Sequence, residues 1–326
     1  MKLRAILPLA ALAAALPALA ETPAIVDTAT PAAATGLVDP SAEVLALEEE
    51  RNRRLTVPVL VEGSGPYAFM IDTGSQATAV TQEIRTALAL APAGRATLVG
   101  MASRRQVDLV DVGRIEFGSN SFTNFTAPVL EREHVGADGI IGLDALQDFR
   151  VLLDFRNQTI AVEDASTRDS GSGFEIIVRA RTKLGQLLIT DALIEGVRAT
   201  VIIDTGAQAS LANTALRERI RAKRAQEVLT TDVNGVDLTG DLVFVRDLNI
   251  EGLALTNVPL TFADTPAFEA LGLNDQPAIS LGMQHLALFD RVAIDFAKQR
   301  ILFDVPRDVA KALREAKRLN SFKLGF

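Results

Sequence analysis

One twelve-residue pattern occurs twice in this chain of 326 residues, and it limits the possible folds more than any other feature. The segment "FMIDTGSQATAV" at 69–80 returns as "VIIDTGAQASLA" at 201–212, which is 132 residues later. Each copy is an apolar, strand-like run that ends in Asp-Thr-Gly, with a glutamine two positions after the glycine. Repetition in a fixed frame indicates two similar structural units. We therefore predict two lobes related by a pseudo-twofold axis.

The similarity between the two halves extends well beyond this pattern. Before each aspartate the chain reads as a strand, a Gly-containing turn and a second strand, and after it a helical pattern begins at Thr81 or Asn213. Each half then closes with a glycine, a short helix and a hairpin. We predict an all-β, bilobal fold with few short helices, with lobes at 51–164 and 174–306 and a breaker-rich linker at 165–173.

The repeated Asp-Thr-Gly motif is suited to one kind of acid–base chemistry. Glycine permits the tight turn that projects a carboxylate from a strand end, and the threonine hydroxyl can bond to the backbone of the other loop. If the two loops meet on the pseudo-twofold axis, Asp72 and Asp204 face each other. Two close carboxylates cannot both ionise cheaply, so they share one proton. The ionised member can then activate water while the protonated member polarises a carbonyl group.

These residues give the chain a family resemblance. The segments "MIDTGS … GIIGLDAL" and "IIDTGA … AISLGMQHL" resemble the retropepsin and pepsin superfamily of aspartic proteases. The resemblance implies two retropepsin-like β-barrel lobes fused in one chain, and an endopeptidase that acts on polypeptide. It also implies a catalytic dyad of Asp72 and Asp204, supported by the Thr-Gly pairs 73–74 and 205–206. A catalytically inactive peptide-binding protein on the same fold is the alternative.

Three positions near the motifs add further expectations. The segment "LVGMASRR" at 98–105 is the candidate substrate flap, with Gly100 and Met101 near its tip. Ser75 follows the first motif where the second has Ala207, so we expect the Ser75 hydroxyl to stabilise ionised Asp72 and to leave the proton on Asp204. Ser280 replaces an apolar residue in the second glycine motif, which makes that lobe depart from the family pattern.

The residue inventory argues against other classes of function. The net charge of −8 offers no basic surface for nucleic acid. The only histidines are His134 and His285, and cysteine is absent, so neither a zinc site nor a disulfide is indicated. There is no Gly-x-Gly-x-x-Gly motif and no phosphate-binding loop, and no Gly-x-Ser-x-Gly elbow accompanies His285. We therefore expect no cofactor and no metal.

The two ends of the chain read differently from the lobes. Residues 1–20 have a basic start, an apolar run and a small-residue cleavage site, as in a signal peptide. Residues 21–50 read as a mobile leader, with a short ordered piece near "AEVLALEEE", and 307–326 as a basic helical tail. Together these segments favour a periplasmic or secreted bacterial protein without stable membrane insertion. Because both motifs lie in one chain, we expect a monomer. A dimer with two clefts, in which each lobe pairs with its twin in another chain, is the alternative.

Overall fold

The computed structural model describes residues 43–46, 48–49, 55–164, 173–221, 225–250, 253–307 and 309–311. The predicted signal peptide, most of the predicted leader, linker residues 165–172 and the tail beyond residue 311 lie outside the described residues. Two short strands, Glu43–Ala46 and Glu48–Glu49, lie within the segment that was predicted to be a mobile leader. Among the described residues, no helix is long and apolar enough to cross a bilayer.

The first half is built mostly of antiparallel strands. Its principal sheet has the order β2-β3-β4-β9-β5-β8-β7-β6, and a further pairing of β3 with β7 bends it towards a barrel. The elements of this half are β1 (Glu43–Ala46), β2 (Glu48–Glu49), β3 (Leu55–Val61), β4 (Ser64–Ile71), β5 (Ala79–Thr81), α1 (Gln82–Ala87), β6 (Pro92–Val99), β7 (Arg104–Phe117), β8 (Asn120–Leu130), α2 (Arg132–Val135), β9 (Gly139–Ile141), α3 (Leu143–Leu146), β10 (Phe149–Asp154) and β11 (Thr159–Asp164).

The second half repeats this arrangement. Its sheet has the order β13-β14-β15-β20-β16-β19-β18-β17, and β14 also pairs with β18. The elements are β12 (Ile176–Arg179), β13 (Arg181–Lys183), β14 (Gln186–Ile194), β15 (Val197–Ile203), β16 (Leu211–Ala212), α4 (Thr214–Arg217), β17 (Gln226–Thr231), β18 (Asp237–Ile250), β19 (Leu253–Phe262), α5 (Pro266–Ala270), β20 (Ala278–Leu281), α6 (Met283–Leu286), β21 (Arg291–Asp295) and β22 (Arg300–Asp304). The predicted all-β, two-lobed architecture with few short helices is therefore confirmed.

A third sheet joins the two halves. It has the order β1-β11-β10-β21-β22-β12, so each half contributes strands to it. The join is the antiparallel pair β10–β21, in which Leu152 lies opposite Ala293, its counterpart 141 residues later. In the same register Arg150 lies opposite Asp295 and Asp154 lies opposite Arg291. A strand that pairs with its own equivalent places a pseudo-twofold axis between Leu152 and Ala293.

Burial explains why these closing hairpins form the centre of the molecule. In β10 and β21 nearly every side chain is buried, as expected for strands that are covered on both faces. Val151 and Ile294 belong to a core cluster that runs through both lobes, whereas Leu152 and Ala293 pack in a smaller cluster on the opposite face. The two lobes thus share one continuous apolar interior.

The predicted helices exist, but one is shorter than its pattern suggests. The helix after Thr81 spans six residues, whereas the helix after Asn213 spans only four. Asn213 is fully buried; its Oδ1 accepts from Leu216 N at 3.1 Å, and its Nδ2 donates to the carbonyls of Leu273 and Gln276, both at 2.8 Å. These bonds hold the start of α4 against the following segment of the lobe.

Of the predicted tail helix, residue 307 and residues 309–311 are described, and they are helical.

Candidate active site

Each Asp-Thr-Gly motif begins where a buried strand ends. In both lobes the strand before the motif pairs in parallel with the strand of the glycine motif, β4 with β9 and β15 with β20. This pairing continues into the loops, since Asp72 N donates to Ile141 O at 3.0 Å and Asp204 N donates to Leu281 O at 3.1 Å. The two aspartates are therefore anchored in equivalent ways.

The two carboxylates are also held in equivalent ways by their own loops. The side-chain Oδ1 of each aspartate accepts from the backbone N–H groups two and three residues later, at 2.8 and 3.1 Å for Asp72 and at 3.1 and 3.0 Å for Asp204. Both residues are only 8% exposed. Charge-assisted bonds of this kind fix the orientation of a carboxylate without using its second oxygen.

The glycines of the two motifs bring the lobes into contact at the aspartates. A Cβ atom on Gly74 would lie 2.7 Å from Asp204 Oδ1, and one on Gly206 would lie 2.2 Å from Asp72 Cγ. Both distances are shorter than real Cβ contacts, so a side chain at either position would displace the aspartate of the other lobe. Each aspartate side chain thus packs against the motif glycine of the other lobe.

Thr73 and Thr205 interlock beneath the carboxylates. The Thr73 hydroxyl donates to Ile203 O at 2.7 Å and accepts from Thr205 N at 3.2 Å. The Thr205 hydroxyl donates to Ile71 O at 2.7 Å and accepts from Thr73 N at 3.0 Å. These four hydrogen bonds all cross between the lobes next to the two aspartates.

The expected role of the Ser75 hydroxyl is wrong. It donates to Ala77 O at 2.9 Å within its own loop, and it is the backbone N–H of Ser75 that bonds to Asp72. The hydroxyl that reaches the pair of aspartates is that of Ser280, which donates to Asp204 Oδ2 at 2.9 Å. From sequence, Ser280 was only a departure from an apolar pattern. The signal for its role was a polar residue in an otherwise buried strand next to the motif.

Gly100 and Met101 lie at the tip of the hairpin formed by β6 and β7, which we call the first flap (98–105). Gly100 N donates to Ser103 O at 2.8 Å and closes the turn. Met101 packs against an apolar cluster of the second lobe that includes Ile202 and Phe268. The first flap therefore extends across to the opposite lobe.

The second lobe has a matching hairpin between β17 and β18, which we call the second flap (231–237). This hairpin was not predicted from sequence. Asn-Gly at 234–235 is a typical turn signal, however, and the second half repeats the strand pattern of the first. Its Asp232 is 6% exposed and holds its own turn, with Oδ1 accepting from Asn234 N at 2.9 Å and from Val236 N at 3.0 Å.

The tips of the two flaps bond to each other. Asp232 Oδ2 accepts from the Ser103 hydroxyl at 2.7 Å and from Ala102 N at 3.1 Å. Asn234 Nδ2 donates to Ser103 Oγ at 2.8 Å, and Arg105 donates to Asn234 O at 3.0 Å. Four hydrogen bonds thus join the tips of the two hairpins across the lobes.

The histidines lie outside the pair of aspartates. His285 is on α6, as predicted, and its Nδ1 lies 2.6 Å from Ser210 Oγ in a buried contact. Burial lowers the pKa of His285 to about 4. Gly282 N also donates to Ser210 Oγ, at 2.9 Å. Within the described residues, no group of three or more His, Asp or Glu side chains is placed to hold a metal ion.

Comparison with known proteins gives one family. The family model described as "Aspartyl protease" matches residues 57–145 and again residues 190–285, which together are more than half of the chain. The two matched regions contain the two Asp-Thr-Gly loops and both glycine motifs. A search of curated proteins found no matching sequence.

Proposed function

Since the chain belongs to the aspartyl protease family, we propose that it is an aspartic endopeptidase in which Asp72 and Asp204 form the catalytic dyad. The observation that carries the proposal is the cross-lobe contact of each aspartate with the glycine of the other motif, at distances that leave no room for a side chain. In the proposed dyad this mutual packing brings the two carboxyl groups side by side, and two close carboxylates favour a state with one shared proton.

The proposed reaction needs only the two carboxylates and one water molecule. The ionised carboxylate takes a proton from the water, whose oxygen attacks the peptide carbonyl carbon, while the protonated carboxylate donates to the carbonyl oxygen. In the resulting tetrahedral intermediate, the aspartate that took the water proton gives it to the amide nitrogen as the C–N bond breaks, and the other aspartate takes a proton back from a hydroxyl of the intermediate. The products are a carboxylic acid and an amine, and the dyad returns to its singly protonated state.

The interlock of Thr73 and Thr205 serves this chemistry by limiting the movement of the two loops. General acid and base groups are effective only when they stay within hydrogen-bond reach of the reacting atoms. Each threonine hydroxyl bonds to both a carbonyl and an N–H group of the other lobe. The two loops therefore cannot shift relative to each other without breaking hydrogen bonds. We assign the two threonines and the motif glycines to positioning.

The family implies a polypeptide substrate. In the proposed mode the chain lies extended between the aspartates and the two flaps, where strand edges can bond to its backbone. The bonds between the flap tips have to open for its entry and can re-form above it. A flexible segment satisfies these conditions, whereas a folded domain does not pass between the tips.

The same proposal covers assembly and location. Both motifs come from one chain and interlock within it, so the active unit we propose is a monomer. The apolar segment at 1–20 favours export, and we propose a periplasmic or secreted site of action. Mass measurement in solution and fractionation of cells test these two points separately.

Cleavage of an unstructured polypeptide from about pH 3 to 7 tests the function. We expect the wild-type protein to cleave it, and Asp72→Asn and Asp204→Asn each to abolish cleavage while leaving the far-UV circular dichroism spectrum unchanged. Asp275→Asn, which changes an exposed aspartate on a loop of the second lobe, is the matched control and retains cleavage. Binding of the peptide without cleavage by the wild-type protein would instead identify an inactive peptide-binding protein.

A further inference from the structure

The two halves of the candidate site are nearly equivalent, and the main departure concerns one hydroxyl group. Backbone donors reach Oδ1 of both aspartates in the same pattern. The second oxygen of Asp204 accepts in addition from Ser280 Oγ at 2.9 Å. Ser280 is 4% exposed and lies on β20, so this bond is made in the interior.

The counterpart of Ser280 in the first lobe is Ile140. Ser280 lies opposite Ile202 in the β15–β20 pair, and Ile140 lies opposite Met70 in the equivalent β4–β9 pair. An isoleucine side chain has no proton to donate. The hydroxyl that follows the first motif, that of Ser75, donates to Ala77 O. Ser280 is therefore a side-chain donor to Asp204 at a position whose equivalent in the first lobe, Ile140, carries no donor.

We propose that Ser280 is a positioning residue that makes the two carboxylates unequal, so that Asp204 carries the negative charge and Asp72 holds the shared proton. This inference depends on the proposed function of the dyad. The expectation from sequence, in which Ser75 stabilised Asp72 and left the proton on Asp204, is thereby reversed.

The physical reason is the strength of a hydrogen bond to charge. A hydroxyl that donates to a carboxylate forms a stronger bond than one that donates to a carboxylic acid, and the difference is larger in a buried site. Ser280 has one proton, and it is directed at Asp204 Oδ2. Protonation of Asp204 would weaken this bond, whereas protonation of Asp72 leaves it intact. The shared proton is therefore driven towards Asp72.

A one-sided charge assigns a role to each carboxylate in the reaction. Asp204 becomes the base that takes the proton of the attacking water, and Asp72 becomes the acid that donates to the peptide carbonyl oxygen. In the reverse assignment the water and the carbonyl would exchange places. The direction in which a polypeptide lies across the site would then be reversed as well.

The pH profile of cleavage tests the proposal through its two limbs. Loss of the hydroxyl in Ser280→Ala weakens the singly ionised dyad relative to the neutral one, and we expect the acid limb of kcat/KM to move up by about one pH unit. The alkaline limb stays in place, because Asp204 is ionised on both sides of that step. Ser280→Thr keeps the hydroxyl and restores the wild-type acid limb.

Ser75→Ala is the matched control for a hydroxyl in the same site. Its hydroxyl bonds within its own loop, so the acid limb of this variant stays at the wild-type pH. A Ser280→Ala profile with an unmoved acid limb would overturn the proposal, and so would an equal displacement of both limbs.

Nuclear magnetic resonance titration of ¹³C-labelled aspartate carboxyls tests the same proposal without activity. In the Asp72→Asn background, Ser280→Ala is expected to raise the titration midpoint of Asp204 by about one pH unit. In the Asp204→Asn background, the same change leaves the midpoint of Asp72 where it was. A lowered midpoint of Asp204 would mean that Ser280 accepts the proton of Asp204, which refutes the assignment. If the wild-type protein cleaves nothing, the endopeptidase proposal fails while this titration still decides the role of Ser280.

Discussion

Replacement of Thr73 by valine removes the central hydroxyl of the interlock while nearly preserving the shape of the side chain. Two hydrogen bonds are lost, the one donated to Ile203 O at 2.7 Å and the one accepted from Thr205 N at 3.2 Å. Thr73 is 3% exposed, so the carbonyl and N–H groups left behind have little access to water. A buried polar group without a partner costs about 1–3 kcal/mol. We therefore expect Thr73→Val to lower the free energy of unfolding by about 3 kcal/mol.

Urea unfolding followed by far-UV circular dichroism measures this loss. The chain has no tryptophan and a single tyrosine, so intrinsic fluorescence is a poor probe. Thr73→Ser is the control, because it keeps the hydroxyl and deletes only a methyl group, at a cost of about 1 kcal/mol. If the free energy of unfolding of Thr73→Val lay within about 0.5 kcal/mol of that of Thr73→Ser, the reasoning would be refuted, because ordinary surface substitutions have effects of that size.

The double variant Thr73→Val, Thr205→Val tests whether the two hydroxyls act as one unit. Either single change loosens the contact between the loops, so the second change has less left to remove. We expect the double variant to lose less stability than the sum of the two single variants, by about 1 kcal/mol. Strict additivity would mean that the two threonines stabilise their lobes separately.

Three further changes follow from the structure. Gly206→Ala places a Cβ atom 2.2 Å from Asp72 Cγ, and the displacement this forces is expected to lower kcat/KM by about 100-fold without unfolding the protein. Asp232→Asn replaces an acceptor of the flap contact with a donor, and we expect faster amide hydrogen exchange at 100–103 and 232–236 together with a higher KM. Burial holds the pKa of His285 at about 4 against an ordinary value of 6.5, so the unfolded chain binds more protons between these values and stability is lost as the pH falls through them. His285→Asn removes this group, and we expect its Tm to fall less than that of the wild type between pH 7 and pH 4.

Controls for these changes are present in the chain. Gly113→Ala adds a methyl group beside the exposed Glu62 side chain, which can move, and retains full activity. Asp237→Asn changes an exposed carboxylate at the C-terminal end of the second flap, where its partner is Thr231, and leaves the exchange at the flap tips unchanged. Slow exchange at the tips in Asp232→Asn, or an equal fall of Tm with pH in His285→Asn and the wild type, would contradict the respective explanation.

The arrangement of lobes and motif loops could be predicted because it depends on patterns that repeat along the chain. An apolar run before Asp72 and another before Asp204 are local signals, and their constant spacing indicates equivalence. The role of Ser280 could not be predicted in this way, because its bond spans 76 residues and depends on which face of β20 is directed at the site. The expectation for Ser75 failed for a related reason, since a carbonyl two residues away in its own loop competes for the same proton.

The contact between the flaps illustrates the same limit. Each hairpin is predictable by itself from its strands and its turn residues. The bonds of Asp232 to Ser103 and Ala102 join residues about 130 positions apart, and they exist only once both lobes have closed around the axis. Side-chain hydrogen bonds between turns that are distant in sequence produce no repeating residue pattern, so they cannot be predicted from periodicity.

The union of both lobes in one chain has a consequence for how such a protein can change over generations. An enzyme assembled from two identical subunits carries every mutation twice, so a serine on one side of its axis is always matched by a serine on the other. Here β10 and β21 pair as equivalents but are encoded separately, and the position of Ser280 in the second lobe is occupied by Ile140 in the first. Because the two lobes belong to one chain, a mutation can change the surroundings of one aspartate and leave those of the other as they were, which two identical subunits cannot do.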